Sequence, residues 1–115
     1  MTVDLQLVGQ RRQLSEVLEL SAYRLIQEAL TNAVKHSGGT TAHVRLTYTP
    51  HALDIAVCDN GTARVSAGAY GGGGGHGLIG MRERVRLHGG QLRAGPRPQG
   101  GFAVHASLPL DRNPS

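Results

Sequence analysis

Val3, Leu5 and Leu7 alternate with Asp4 and Gln6, and this period of two predicts a short, half-buried strand that Gly9 ends. Residues 10–15 form a polar connector. From Glu16 to His36 the spacing becomes helical, because Leu18, Ala22, Leu25, Ile26, Ala29, Leu30 and Ala33 recur every three or four residues and share one face. Ser37, Gly38 and Gly39 supply the stop. Alternation returns over residues 41–49, with Ala42, Val44, Leu46 and Tyr48 on one side and His43, Arg45, Thr47 and Thr49 on the other. After a turn at Pro50 and His51, Leu53, Ile55 and Val57 mark the apolar face of the next strand, and the same period places Asp59 on that face. A carboxylate therefore ends a core-facing row.

Eight of the seventeen glycines lie between Gly68 and Gly80, which predicts a loop without regular structure up to about residue 75. Helical spacing resumes over residues 78–88 through Leu78, Met81 and Val85, and Gly89 with Gly90 stops it. Residues 91–94 and 102–108 read as two further strands joined by a turn over residues 95–101, the second with Phe102, Val104, Ala106 and Leu108 on one face. The predicted class is α+β: a two-layer sandwich in which helices cover one face of a mixed, mostly antiparallel sheet.

Composition narrows the function. A chain of 115 residues is one domain. Its aromatics are Tyr23, Tyr48, Tyr70 and Phe102, too few for a fold that reads single-stranded nucleic acid by stacking bases. The one cysteine, Cys58, excludes an intrachain disulfide or paired-cysteine zinc site, suits a reducing cytoplasmic setting, and reads as core filling. No apolar run has the length of about 20 residues that a membrane helix needs. The net charge of +4 is concentrated in one half, since residues 61–110 carry six basic side chains and one acidic. Such asymmetry suits a polyanionic partner or a solvated arginine-rich face, and with no recognition helix apparent DNA is not the expected partner.

Three places carry candidate chemistry. Glu28, Asn32 and Lys35, spaced by four and three residues, fall within a stripe of roughly 60° beside the apolar face of the first helix. An amide oxygen there can ligate Mg²⁺ and an ammonium can offset phosphate charge, although an ordinary exposed helix face has the same spacing. Asp59-Asn60-Gly61 could be a simple turn, but a core-facing carboxylate needs a donor, and the exocyclic amine of a purine would serve. Gly75-His76-Gly77-Leu78 opens the second helix, where unpaired backbone N–H groups can meet phosphate.

Together, the stretch from Tyr23 to His36, the Asp59-Asn60-Gly61 triplet and the run Gly75-His76-Gly77-Leu78-Ile79-Gly80-Met81-Arg82-Glu83-Arg84-Val85 resemble the ATP-binding catalytic domain of bacterial sensor histidine kinases. The likeness covers about residues 3–110 and is closer to the subgroup whose response regulators carry helix-turn-helix outputs. It implies the Bergerat fold of the GHKL superfamily, with ATP and Mg²⁺ held under a lid over about residues 62–75. By motif position it implies Asn32 as the Mg²⁺ ligand, Glu28 as a polar helper to metal or water, and Lys35 as a phosphate contact. Asp59 would receive the adenine amine with Gly61 leaving room for the ring, and Gly75, His76, Gly77 and Leu78 would line the phosphates.

Two positions depart from the family pattern: Ala63 stands where a second glycine is common, and Phe102 where a threonine often follows the glycines of the last hairpin. The resemblance also implies a phosphoacceptor histidine followed by an acid, and none of His36, His43, His51, His76, His88 and His105 is so followed. The expectation is a single catalytic domain, residues 1–115, that does not phosphorylate itself alone. It would donate the γ-phosphate to a histidine on a separate dimerisation domain, engage a response regulator only indirectly, and make no membrane contact. A stand-alone anti-sigma-factor serine kinase and a degenerate nucleotide-binding adaptor are the alternatives.

Overall fold

The computed structural model describes residues 2–10, 14–36, 41–61, 75–98 and 100–110, and of residues 35, 36 and 75–78 only the backbone. The elements run β1 (Thr2–Val8), α1 (Glu16–His36), β2 (Thr41–Tyr48), β3 (Ala52–Asp59), α2 (Gly75–Leu87), β4 (Gln91–Pro96) and β5 (Phe102–Pro109). The five strands form one sheet in the order β1-β2-β3-β5-β4. Only the β1–β2 pair is parallel. Helix α1 is the crossover that a parallel pair requires. Both helices pack on one face of the sheet, as the alternation along the strands requires.

Each helix is punctuated by its own sequence. Ser15 caps α1: its hydroxyl accepts from the Leu18 N–H at 3.1 Å, and Glu16 and Glu19 place negative charge in the first turn, where the helix dipole favours it. Helix α2 ends in a Schellman motif, with the Gly90 N–H donating to the Val85 carbonyl and the Gly89 N–H to that of Arg86. Gly89 sits at φ +76°, the left-handed conformation the motif uses. Helix α2 begins earlier than its apolar spacing predicts, at Gly75, so the glycine run contributes its first turn.

Leu25 from α1, Met81 and Val85 from α2, and Leu53, Ile55 and Leu108 from the sheet are fully buried between the layers. Burial of each such side chain contributes about 1.5–3 kcal/mol. Two expectations need correction. Strand β1 forms, but it is exposed along its length rather than half-buried, with Leu5 59% accessible. It is held through β2 at the sheet edge, and helix packing falls on β2 to β5. Cys58 is half-buried on the helix-free face rather than in the core, because Val57 and Asp59 on either side of it point inward.

Candidate functional site

The ends of α1 and β3 that carry two of the three motifs lie near each other at one end of the sandwich. Asp59 is paired with Ala42 at the start of β2, and residues 37–40 are all that separate Ala42's strand from the end of α1. So short a connection keeps Asp59 close to the C-terminal turns of α1. At the opposite end, the ring Nε2 of His88 lies 2.7 Å from the Ser21 hydroxyl, tying the end of α2 to the beginning of α1. The two helices also pack directly against each other over the sheet.

Asp59 is the one buried charged residue among the described residues, at 3% exposure. Four groups define its corner. The Gly61 N–H donates to its Oδ1 at 2.8 Å, closing an Asx turn, and Gly61 is itself buried. The Arg97 guanidinium donates to the Asp59 carbonyl at 3.0 Å. Gly101, at φ +89°, packs so tightly that an added Cβ would collide with that same carbonyl oxygen and lie 3.2 Å from Oδ1. Asn60 fixes the strand end from the other side: its N–H donates to the Thr41 carbonyl and its Oδ1 accepts from the Thr41 N–H at 2.9 Å.

Glu28 and Asn32 are both half-buried on α1, one turn apart, as a stripe at the edge of the core requires. The Nδ2 of Asn32 is buried without a hydrogen-bond partner. A buried amide in that condition is costly unless a ligand or water completes it. Rotation about its terminal torsion exchanges oxygen for nitrogen, so Asn32 can offer a carbonyl oxygen to a hard cation. No group of three or more His, Cys, Asp or Glu side chains converges on a metal site among the described residues.

Gly75 and Gly77 lie in the first turn of α2, where backbone N–H groups lack helical partners. The side chains of Lys35, His36, His76 and Leu78, residues 62–74 including Ala63, and therefore the expected lid, lie outside the described residues. Phe102, where the family often has threonine, is buried in the core cluster. Sequence reasoning missed Arg97 and the role of Gly101. Both sit in the β4–β5 turn, far along the chain from Asp59, and only the glycine pair at 100–101 hinted at a close approach.

Residues 18–112 match the family described as Histidine kinase-, DNA gyrase B-, and HSP90-like ATPase. Over 94% of its length the chain is 32% identical to the signal transduction histidine-protein kinase/phosphatase DegS of Brevibacillus brevis, and it covers 28% of that protein. It is 33% identical over 76% of its length to the sensor histidine kinase LnrJ of Bacillus subtilis (strain 168), covering 20% of it. The chain thus spans less than a third of either relative. Among solved structures, the ATP binding domain of PrrB from Mycobacterium tuberculosis superposes with a TM-score of 0.71 at 26% identity, covering 96% of this chain and 82% of that one. With its five-stranded mixed sheet, its helices on one face and the family match over residues 18–112, the chain belongs to the histidine kinase-, DNA gyrase B- and HSP90-like ATPase family.

Proposed function

We propose that this chain is a catalytic domain that binds ATP with Mg²⁺ at the Asp59–Asn32 end and presents the γ-phosphate to a histidine on a separate dimerisation domain. The observation that carries this reading is Asp59, a buried carboxylate held in place by backbone and side-chain contacts. A buried carboxylate held by one N–H has acceptor capacity left over, and an exocyclic adenine amine is a neutral donor of suitable shape. Gly61, which carries no side chain, is assigned to leave room beside the carboxylate for a flat ring.

Around the phosphates, Lys35 is assigned to charge neutralisation, and the N–H groups at Gly75, His76, Gly77 and Leu78 to phosphate oxygens at the start of α2. Asn32 is the protein ligand offered to Mg²⁺, which when bound neutralises phosphate charge, and Glu28 beside it orients water or metal ligands. Transfer breaks the bond between the γ-phosphorus and the β–γ bridging oxygen and forms a phosphorus–nitrogen bond to the acceptor imidazole, with ADP leaving. The chain contributes positioning and electrostatics, which dominate phosphoryl transfer, and forms no covalent intermediate. Residues 62–75 serve as the lid, residues 1–115 as a single domain, and a response regulator as the later recipient of the phosphoryl group. Because the relatives named above are histidine kinases, this reading is favoured over a serine kinase or an adaptor without transferase activity. Among the described residues no helix is long and apolar enough to cross a membrane. The domain acts in the cytoplasm without membrane contact of its own.

Calorimetric titration with a non-hydrolysable ATP analogue, with and without Mg²⁺, tests the site. The parent chain binds, and Asn32→Ala abolishes the dependence on Mg²⁺. A folded parent with no affinity for the analogue would overturn the proposal. Incubation with ATP and a supplied dimerisation domain then tests transfer through acid-labile phosphohistidine.

A further inference from the structure

The helix-free face of the sheet is laid out by strand register as a grid of polar side chains. One row runs Arg45, Ala56, His105, Arg93, each opposite the next across β2, β3, β5 and β4. The adjoining row runs Thr47, Asp54, Ser107, Gln91. Ala56 carries only a methyl between Arg45 and His105, so the longer neighbours surround a hollow of about 440 Å³ lined by both rows. This lies within the range of roughly 300–1,000 Å³ typical of small-molecule sites.

Its charges are not spent on one another. The one salt-bridge contact among the described residues joins His43 Nδ1 and Asp4 Oδ2, at 3.2 Å, which leaves Arg45, Arg93 and Asp54 without ionic partners there. The Arg45 Nε donates to the Gln6 Oε1 at 3.2 Å, which steadies the guanidinium while its two terminal nitrogens stay available. Arg45 and Arg93 stand three strand spacings apart, about 14 Å between Cα atoms, and flank the hollow. Two guanidiniums, an imidazole and two hydroxyls are a donor set for phosphate, and arginine's planar fork suits it better than a point charge does. Asp54 is an acceptor in the middle of that set. A bare anion would sit beside it uncompensated, whereas a ligand with a donor group of its own satisfies both. Apart from the His105 imidazole, which is assigned to the anion, the lining has no aromatic ring on which a base could stack.

We propose that this hollow binds a small phosphomonoester that also carries a hydroxyl or amino group, with Arg45, Arg93 and His105 on the phosphate and Asp54 accepting from the donor. The site is on the opposite face of the sheet from Asp59 and is independent of the nucleotide reading.

Isotope-labelled chain titrated with glycerol phosphate, its backbone amides followed by NMR, tests this directly. Saturable shifts are expected at Arg45, Asp54, Arg93 and His105, with inorganic phosphate at least about tenfold weaker and glycerol without effect. Arg45→Gln and Arg93→Gln each weaken binding about tenfold. Asp54→Asn abolishes the preference for glycerol phosphate over inorganic phosphate. Circular dichroism checks that each variant is folded, and Arg93→Lys, which keeps the charge but loses the fork, replaces any glutamine variant that is not. Absence of saturable shifts at these amides, shifts confined to Asp59 and Gly61, equal affinity for inorganic phosphate, or indifference to both arginine substitutions would each overturn the proposal.

Discussion

Strand β3 carries two carboxylates that face opposite sides of the same sheet. Asp54 lies on the helix-free side, half-buried, between Thr47 and Ser107, where solvent can meet whatever its neighbours do not. Asp59 lies on the helix side, nine-tenths or more buried, and the chain holds it from several directions: Gly61 on Oδ1, Arg97 on its carbonyl, Gly101 against its backbone. A carboxylate with access to water costs the fold little, so its neighbourhood is under no structural obligation. One taken out of water costs several kcal/mol unless donors are supplied; the chain gives the carboxylate one, the Gly61 N–H, while Arg97 and Gly101 fix the backbone that carries it. The comparison separates a position where charge is tolerated from one where the architecture is committed to it.

The comparison can be broken most severely at Gly101. Gly101→Ala requires a side chain at φ +89° and pushes it into the Asp59 carbonyl, and should lower stability by about 3 kcal/mol, read as a fall in the thermal midpoint. Nucleotide-analogue affinity, measured by calorimetry on the fraction that remains folded, should fall with it. Asp59→Asn is gentler on the fold. It should weaken the analogue about tenfold to a hundredfold, equivalent to about 1.5–3 kcal/mol, because an ionised acceptor becomes a neutral one.

Arg97→Ala removes one hydrogen bond to the Asp59 carbonyl and should cost about 1 kcal/mol in stability, with a loss of a few-fold in analogue affinity. An unchanged affinity would show that Asp59 is held without the β4–β5 turn. Asp54→Asn sharpens the contrast from the other side: stability should stay within about 0.5 kcal/mol of the parent and analogue affinity within about twofold. An effect comparable to that of Asp59→Asn would erase the distinction between the two faces.

Much of this could be read along the chain. Helix α1 runs Glu16–His36 as its apolar spacing requires, because a long amphipathic stripe leaves few alternatives. The inward placement of Asp59 follows from Leu53, Ile55 and Val57 by parity alone, and the structure places it there. Parity also assigns Cys58 to the other face, against the general tendency of cysteine to be buried. What was not legible is long in sequence separation. Nothing local joins Arg97 and Gly101 to Asp59, or His88 to Ser21. Strand β1 was misjudged for a related reason, since alternation in Val3, Leu5 and Leu7 specifies two faces but says nothing about whether a helix covers either.

By itself the sequence determined the period of each element, the side of the strand on which Asp59 falls, and the adjacency of Glu28 and Asn32 on one helix. All of these depend on residues within a few positions of each other, where backbone geometry sets direction. Tertiary structure decided that the last hairpin braces the Asp59 corner, that Asn32 carries a buried amide nitrogen with no hydrogen-bond partner, and that four strands bring Arg45, His105 and Arg93 into one row. These are matters of strand order and layer packing, which depend on contacts between distant segments and on what each element leaves uncovered.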